Sequence, residues 1–63
     1  MNYYIVLRWD ESSESWVMAH AGFGERPTNV IKEAKDAYPD DLLQVFQAIG
    51  NDNKSTPPAL VRQ

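Results

Sequence analysis

The sequence predicts an α+β fold: an antiparallel β-hairpin, one amphipathic helix packed on the sheet and a third strand, in the order ββαβ. Three observations carry that prediction. Two runs of aromatic and β-branched residues flank a polar loop, one segment spaces its apolar residues as a helix does, and a further apolar run follows a proline. With 63 residues the chain has room for one core, and a core of that size is marginal.

The first strand is read from Tyr3-Tyr4-Ile5-Val6-Leu7-Arg8-Trp9, residue types that suit a half-buried pleated surface. Asp10 to Ser15 is polar throughout and suits a hairpin loop. Trp16-Val17-Met18-Ala19-His20-Ala21 is the returning strand. A loop closed by Asp10 and Ser15 sets Trp9 opposite Trp16. Tyr3, Ile5, Leu7 and Trp9 then share a face with Trp16, Met18 and His20. The thinner face carries Tyr4, Val6 and Arg8 with Val17, Ala19 and Ala21.

Gly22-Phe23-Gly24-Glu25-Arg26-Pro27 reads as a connector, with its glycines in a turn that needs positive φ. Thr28 or Asn29 is placed to cap a helix through a side-chain oxygen. Along that helix Val30, Ile31, Ala34, Ala37 and Tyr38 fall on one side, and Lys32, Glu33, Lys35 and Asp36 on the other. Pro39 stops it. The run Leu42 to Ile49 has two readings. Local propensity favours a helix capped by Asp40 or Asp41, which gives a ββαα chain. A two-stranded ribbon is unstable alone, however, and a third strand completes a sheet. The strand is the reading adopted. Residues 1–50 thus form the domain, and 51–63 a polar, flexible C-terminal tail. Within that tail Ala59-Leu60-Val61 is an apolar patch able to dock on the domain or on a partner.

Composition excludes several functions. Without cysteine there is no disulfide and no thiolate metal site, and one histidine builds no zinc cluster. Extra stability, where it is needed, comes from a second chain. Six Lys and Arg against nine Asp and Glu give a net charge of −3, which disfavours a binder of nucleic-acid backbones. No apolar run is long enough to span a membrane, and the first residues carry no basic leader region. A cytoplasmic location is expected.

No residue is assigned to catalysis, to a cofactor or to a metal. His20 is the sole imidazole and so the candidate for acid–base work. Asp10 and Glu14, at the far end of the hairpin, lie about 15 Å or more away at the usual strand rise. Glu25 could approach only through the connector loop, so an ordinary sheet-surface or core-edge histidine is the reading adopted. Asp40 and Asp41 with Asp52 do not have the spacing of a calcium loop and are better explained as turn residues. Gly22-Phe23-Gly24 lacks the further glycine and the Lys-Ser/Thr that make a phosphate loop.

The aromatic set is the most informative feature. Tyr3, Tyr4, Trp9, Trp16 and Phe23 are more large rings than one small sheet face and a short helix can cover. Rings left at the surface suit a protein interface, where Trp, Tyr and Arg supply much of the binding energy. They also suit stacking of single-stranded bases, although Arg8, Arg26, Lys32 and Lys35 are too scattered to form the accompanying cationic groove.

The succession Tyr4–Trp9, Trp16–Ala21, Thr28–Pro39 and Leu42–Ile49 resembles the small ββαβ proteins of bacteriophages and mobile elements. In outline it is similar to phage-encoded inhibitors of host enzymes and to the partial double-stranded-RNA-binding-like fold of HicB-type antitoxins. It departs from charge-mimicking inhibitors in having no strongly acidic strip. The resemblance implies a non-enzymatic interaction protein. The expectation is therefore a module that occupies a surface of a larger protein, as inhibitor or adaptor. Tyr4, Arg8, Trp16 and Phe23 are its expected contact residues, and a homodimer through a sheet edge is a further possibility. The alternative is a single-stranded nucleic-acid binder that uses the aromatic platform.

Overall fold

The computed structural model describes residues 1–50 and 59–63. β1 (Asn2–Asp10), β2 (Ser15–Gly24), α1 (Thr28–Ala37), β3 (Leu43–Ile49) and β4 (Ala59–Arg62) follow in chain order. The strands make one antiparallel sheet in the order β2-β1-β3-β4, with α1 packed on one of its faces. The expected α+β arrangement is present, and Leu43–Ile49 is a strand rather than a helix. A fourth strand adds to it. Ala59–Arg62 pairs with β3, so the apolar patch at 59–61 belongs to the sheet and not to a free tail. Residues 51–58 of the expected tail lie outside the described residues.

The hairpin closes at Asp10 opposite Ser15, as the loop chemistry predicts. Asp10 organises that loop. Its Oδ1 accepts hydrogen bonds from Ser12 N at 3.3 Å and Ser12 Oγ at 2.8 Å, and its Oδ2 accepts one from Ser13 Oγ at 2.8 Å. An Asp side chain bonding two residues on imitates a backbone turn and fixes the register that places Trp9 against Trp16.

Halfway along, the register changes. Leu7 faces Met18, but Val6 faces His20, so Ala19 is an extra residue in β2. The bulge sends both Ala19 and His20 to the helix side, where Ala19 joins the core and His20 meets Glu33 of α1. Ala21 is displaced to the opposite face, level with Ile5. This corrects the expected alternation, which put His20 with the tryptophans and Ala21 with Tyr4. The glycines are corrected too. Gly22 and Gly24 continue β2, and neither has positive φ.

α1 begins at Pro27 without a side-chain cap, in place of the expected Thr28 or Asn29 cap. Proline suits this position because it has no backbone N–H to leave unpaired and its φ is preset for a helix. The helix lies on Tyr4 and Val6. These two with Val30 and Ala34 are the buried core, flanked by Ala19, Leu43 and Val45. The helix therefore covers the thinner face. Its inward residues, Val30 and Ala34, are small, and they pack over Val6 and Ala19.

Candidate functional site

With α1 on the other side, the second face of the sheet has no covering layer among the described residues. Alternation along the paired strands assigns its members. β1 supplies Tyr3, Ile5, Leu7 and Trp9, and β2 supplies Trp16, Met18, Ala21 and Phe23. β3 adds Gln44, Phe46 and Ala48, while β4 adds Leu60 and Arg62. Antiparallel sheets with one solvated face normally turn polar residues outward. Here that face is almost wholly apolar. Met18 is 60% exposed, Phe23 68% and Leu60 56%.

Two ring pairs stand at its ends. The Trp9 and Trp16 rings meet edge to face with centroids 5.4 Å apart, and the Tyr3 and Phe23 rings lie 4.7 Å apart at 55°. Such pairs hold aromatic side chains in fixed orientations without removing them from the surface. Between them Leu7, Trp16, Gln44, Phe46 and Arg62 line a shallow groove of about 270 Å³. Among the described residues Arg62 is the charged side chain of this face, and it stands on the edge strand beside Phe46.

The expected contact residues divide between the two faces. Trp16 and Phe23 are exposed on the open one. Tyr4 is not at the surface: it is 3% exposed beneath α1. Its hydroxyl donates to the Glu25 carbonyl at 3.4 Å and accepts from Asn2 Nδ2 at 3.2 Å. Replacing Tyr4 therefore reports on folding, since truncating a buried aromatic costs about 3–5 kcal/mol. Arg8 also lies on the helix side. Its guanidinium sits over the Tyr38 ring at 4.6 Å, and its Nη1 reaches Asp41 Oδ2 at 3.4 Å. The face that appeared thinner in sequence is the covered one, which withdraws Tyr4 from any contact role and ties Arg8 into the fold.

The sequence reading did not single out Met18 or Phe46 as surface-forming residues, and marked Leu60 only as part of an apolar patch able to dock. Alternation with Trp9 and Trp16 was the available signal for Met18. The local apolar patch marks Leu60, but its place on the open face follows from the pairing of β4 with β3.

Among the described residues the titratable groups form no reactive constellation on this face. His20 is on the helix side, bonded through Nε2 to Glu33. The Asp10 carboxyl is held below the usual carboxylate range, first by the Ser13 hydroxyl and then by that of Ser12. Among the described residues no three His, Cys, Asp or Glu side chains converge on one point, and no helix is long and apolar enough to cross a membrane.

No protein-family profile, curated protein or solved structure matches the chain.

Proposed function

We propose that this chain is a non-enzymatic protein-binding module that acts as an inhibitor or adaptor by laying its open sheet face on a larger protein. One observation carries the reading: an apolar, aromatic sheet face without a covering layer among the described residues. Monomeric soluble proteins rarely leave an apolar patch of several hundred Å² in water unless it binds something. At about 25 cal/mol per Å², covering about 500 Å² on each side contributes about 25 kcal/mol gross. That exceeds the 4–15 kcal/mol or so lost in immobilising two chains.

The chemistry of the face favours protein over other ligands. Its groove is shallow, whereas small-molecule sites are concave and enclose most of the ligand. Its rings suit stacked bases, but Arg62 alone among the described residues offers a phosphate contact there. Base stacking is thus the second reading, and it requires single-stranded oligonucleotides to bind at low salt and to be released as salt rises.

The test compares capture of proteins from a native extract by the wild-type chain, by a Met18→Lys, Phe23→Lys double variant and by Lys35→Glu on the exposed side of α1. Both substituted face residues are mostly solvent-exposed, so neither change opens the core. A specific protein held by the wild type and by Lys35→Glu, but lost at least about tenfold by the double variant, is the expected result. Equal capture by all three removes the sheet face from the function.

A further inference from the structure

We infer that in the free protein the open sheet face is occupied by a second copy of the chain, the two sheets packing face to face. The inference rests on the reading of that face as a contact surface and names its first occupant. Sheets stacked in this way lie about 10 Å apart, with inner side chains interdigitated as in a β-sandwich.

Charge, area and shape point to a second copy. None of the face residues on β1, β2 and β3 is charged, and Arg62 is marginal, on the edge strand. Identical faces therefore meet without burying like charges, the usual obstacle to self-association. At about 4.8 Å between strands and 3.3 Å per residue, the four strands span about 500 Å² in plan. Two such faces together reach the roughly 1,000 Å² that a specific interface requires.

The face also carries its own knob and hole. Phe23, 68% exposed, stands out near one end, and the groove between Leu7, Trp16, Gln44, Phe46 and Arg62 is large enough for one ring. A two-fold axis in the plane of the interface, midway between knob and groove, seats each copy's Phe23 in the other's groove. This is the isologous arrangement of cyclic dimers. Pairing through a sheet edge offers less. β4 has only four residues, and the bulge at Ala19 interrupts the ladder edge of β2. The larger protein of the proposed function competes with the second copy for one surface, so the dimer is the form in which the free chain is held.

Sedimentation of the full chain across about 1 to 500 µM tests this, since dimer stability depends on protomer concentration. The wild type and Lys35→Glu are expected to reach twice the 7.2 kDa chain mass. Met18→Lys and Phe23→Lys are expected to remain at the single-chain mass with unchanged far-UV dichroism. For the wild type alone, isotope-filtered NOEs from the Phe23 ring of one copy to Leu7 and Phe46 of the other are expected. These NOEs decide the matter if a variant fails to fold. A wild type at single-chain mass throughout overturns the inference, as does a dimer that persists in both face variants. If the wild type is monomeric while the face variants lose protein capture, the dimer fails and the function reading survives. If the variants lose the dimer but capture protein as before, the dimer stands and the function reading fails.

Discussion

His20 is the cross-strand partner of Val6, one residue later in β2 than strict alternation from the Leu7–Met18 pair allows. The inserted Ala19 puts the imidazole on the helix side, against Glu33. That contact is solvent-exposed at both ends, with side chains 37% and 63% accessible. Exposed ion pairs contribute about 0–1 kcal/mol. His20→Ala and Glu33→Gln are each expected to cost about 0.5 kcal/mol or less in urea unfolding, and the double variant no more than the larger single loss. A cost above about 2 kcal/mol for His20→Ala would show the imidazole to be a structural keystone of the bulge.

The same bulge marks the limit of what the sequence made legible. Strand composition, the polar hairpin loop, helical spacing and Pro39 located β1, β2 and α1, because each signal is local. β3 was instead read against local propensity, from the need of a ribbon for a third strand. The face that the helix covers is not local. It depends on which side chains pack beneath the helix, and those are Tyr4, Val6 and Ala19 against Val30 and Ala34. The sequence reading set two of its contact residues, Tyr4 and Arg8, on the thinner face and so treated that face as open. Packing made Tyr4 and Val6 the core beneath Val30 and Ala34 and left the tryptophans on the open face. β4 was hidden for a related reason, since four residues beyond a polar stretch become a strand only through the edge that β3 offers.

Gly22 and Gly24 separate two uses of glycine in one strand. A Cβ on Gly22 would lie 3.6 Å from Val30 Cγ2, an ordinary contact. On Gly24 it would lie 3.0 Å from the Arg26 carbonyl oxygen, a backbone atom that cannot swing aside. Gly22→Ala is expected to stabilise by about 0.5–1 kcal/mol, by restricting the unfolded chain and adding a core contact. Gly24→Ala is expected to destabilise by about 1 kcal/mol or more. Thermal unfolding of both decides it, and shifts of the same sign would refute the distinction.

Glu14 closes the hairpin with φ 53°, in the left-handed region. For a residue with a Cβ that conformation costs about 1–2 kcal/mol, and glycine adopts it freely. Part of that gain is offset by the wider freedom of glycine in the unfolded chain. Glu14→Gly is thus expected to raise stability by about 0.5–1 kcal/mol, seen as a higher urea midpoint with the slope unchanged. A lower midpoint would mean that the Glu14 side chain contributes more than its backbone geometry costs.

The Asp10 carboxyl titrates below an ordinary aspartate because the Ser13 and Ser12 hydroxyls donate to its charged form. A depressed folded-state pKa favours the fold above the unfolded value, and that contribution disappears as pH falls through the folded one. Ser13→Ala removes the largest cause. The Asp10 carboxyl ¹³C shift, followed against pH, is then expected to show a midpoint moved upward toward the usual range. An unmoved midpoint would assign the effect elsewhere in the loop.

Arg8 joins the sheet to the end of α1 through Tyr38 and Asp41. The Asp41 bond is long, at 3.4 Å, and both partners keep contact with water, so the pair contributes at most about 1 kcal/mol. The Arg8 Nε is buried without a partner, which subtracts from that. What remains is the stem, lying beside the core with its planar head on the Tyr38 ring. Methionine reproduces the stem without the orphaned donor. Arg8→Met is accordingly expected to change stability by less than about 1 kcal/mol, while Arg8→Ala, which loses stem and ring contact together, costs about 2 kcal/mol. Urea unfolding of the two variants beside Asp41→Ala separates the causes. If Arg8→Met were as damaging as Arg8→Ala, with Asp41→Ala close behind, the charge rather than the hydrocarbon would be holding the helix end to the sheet.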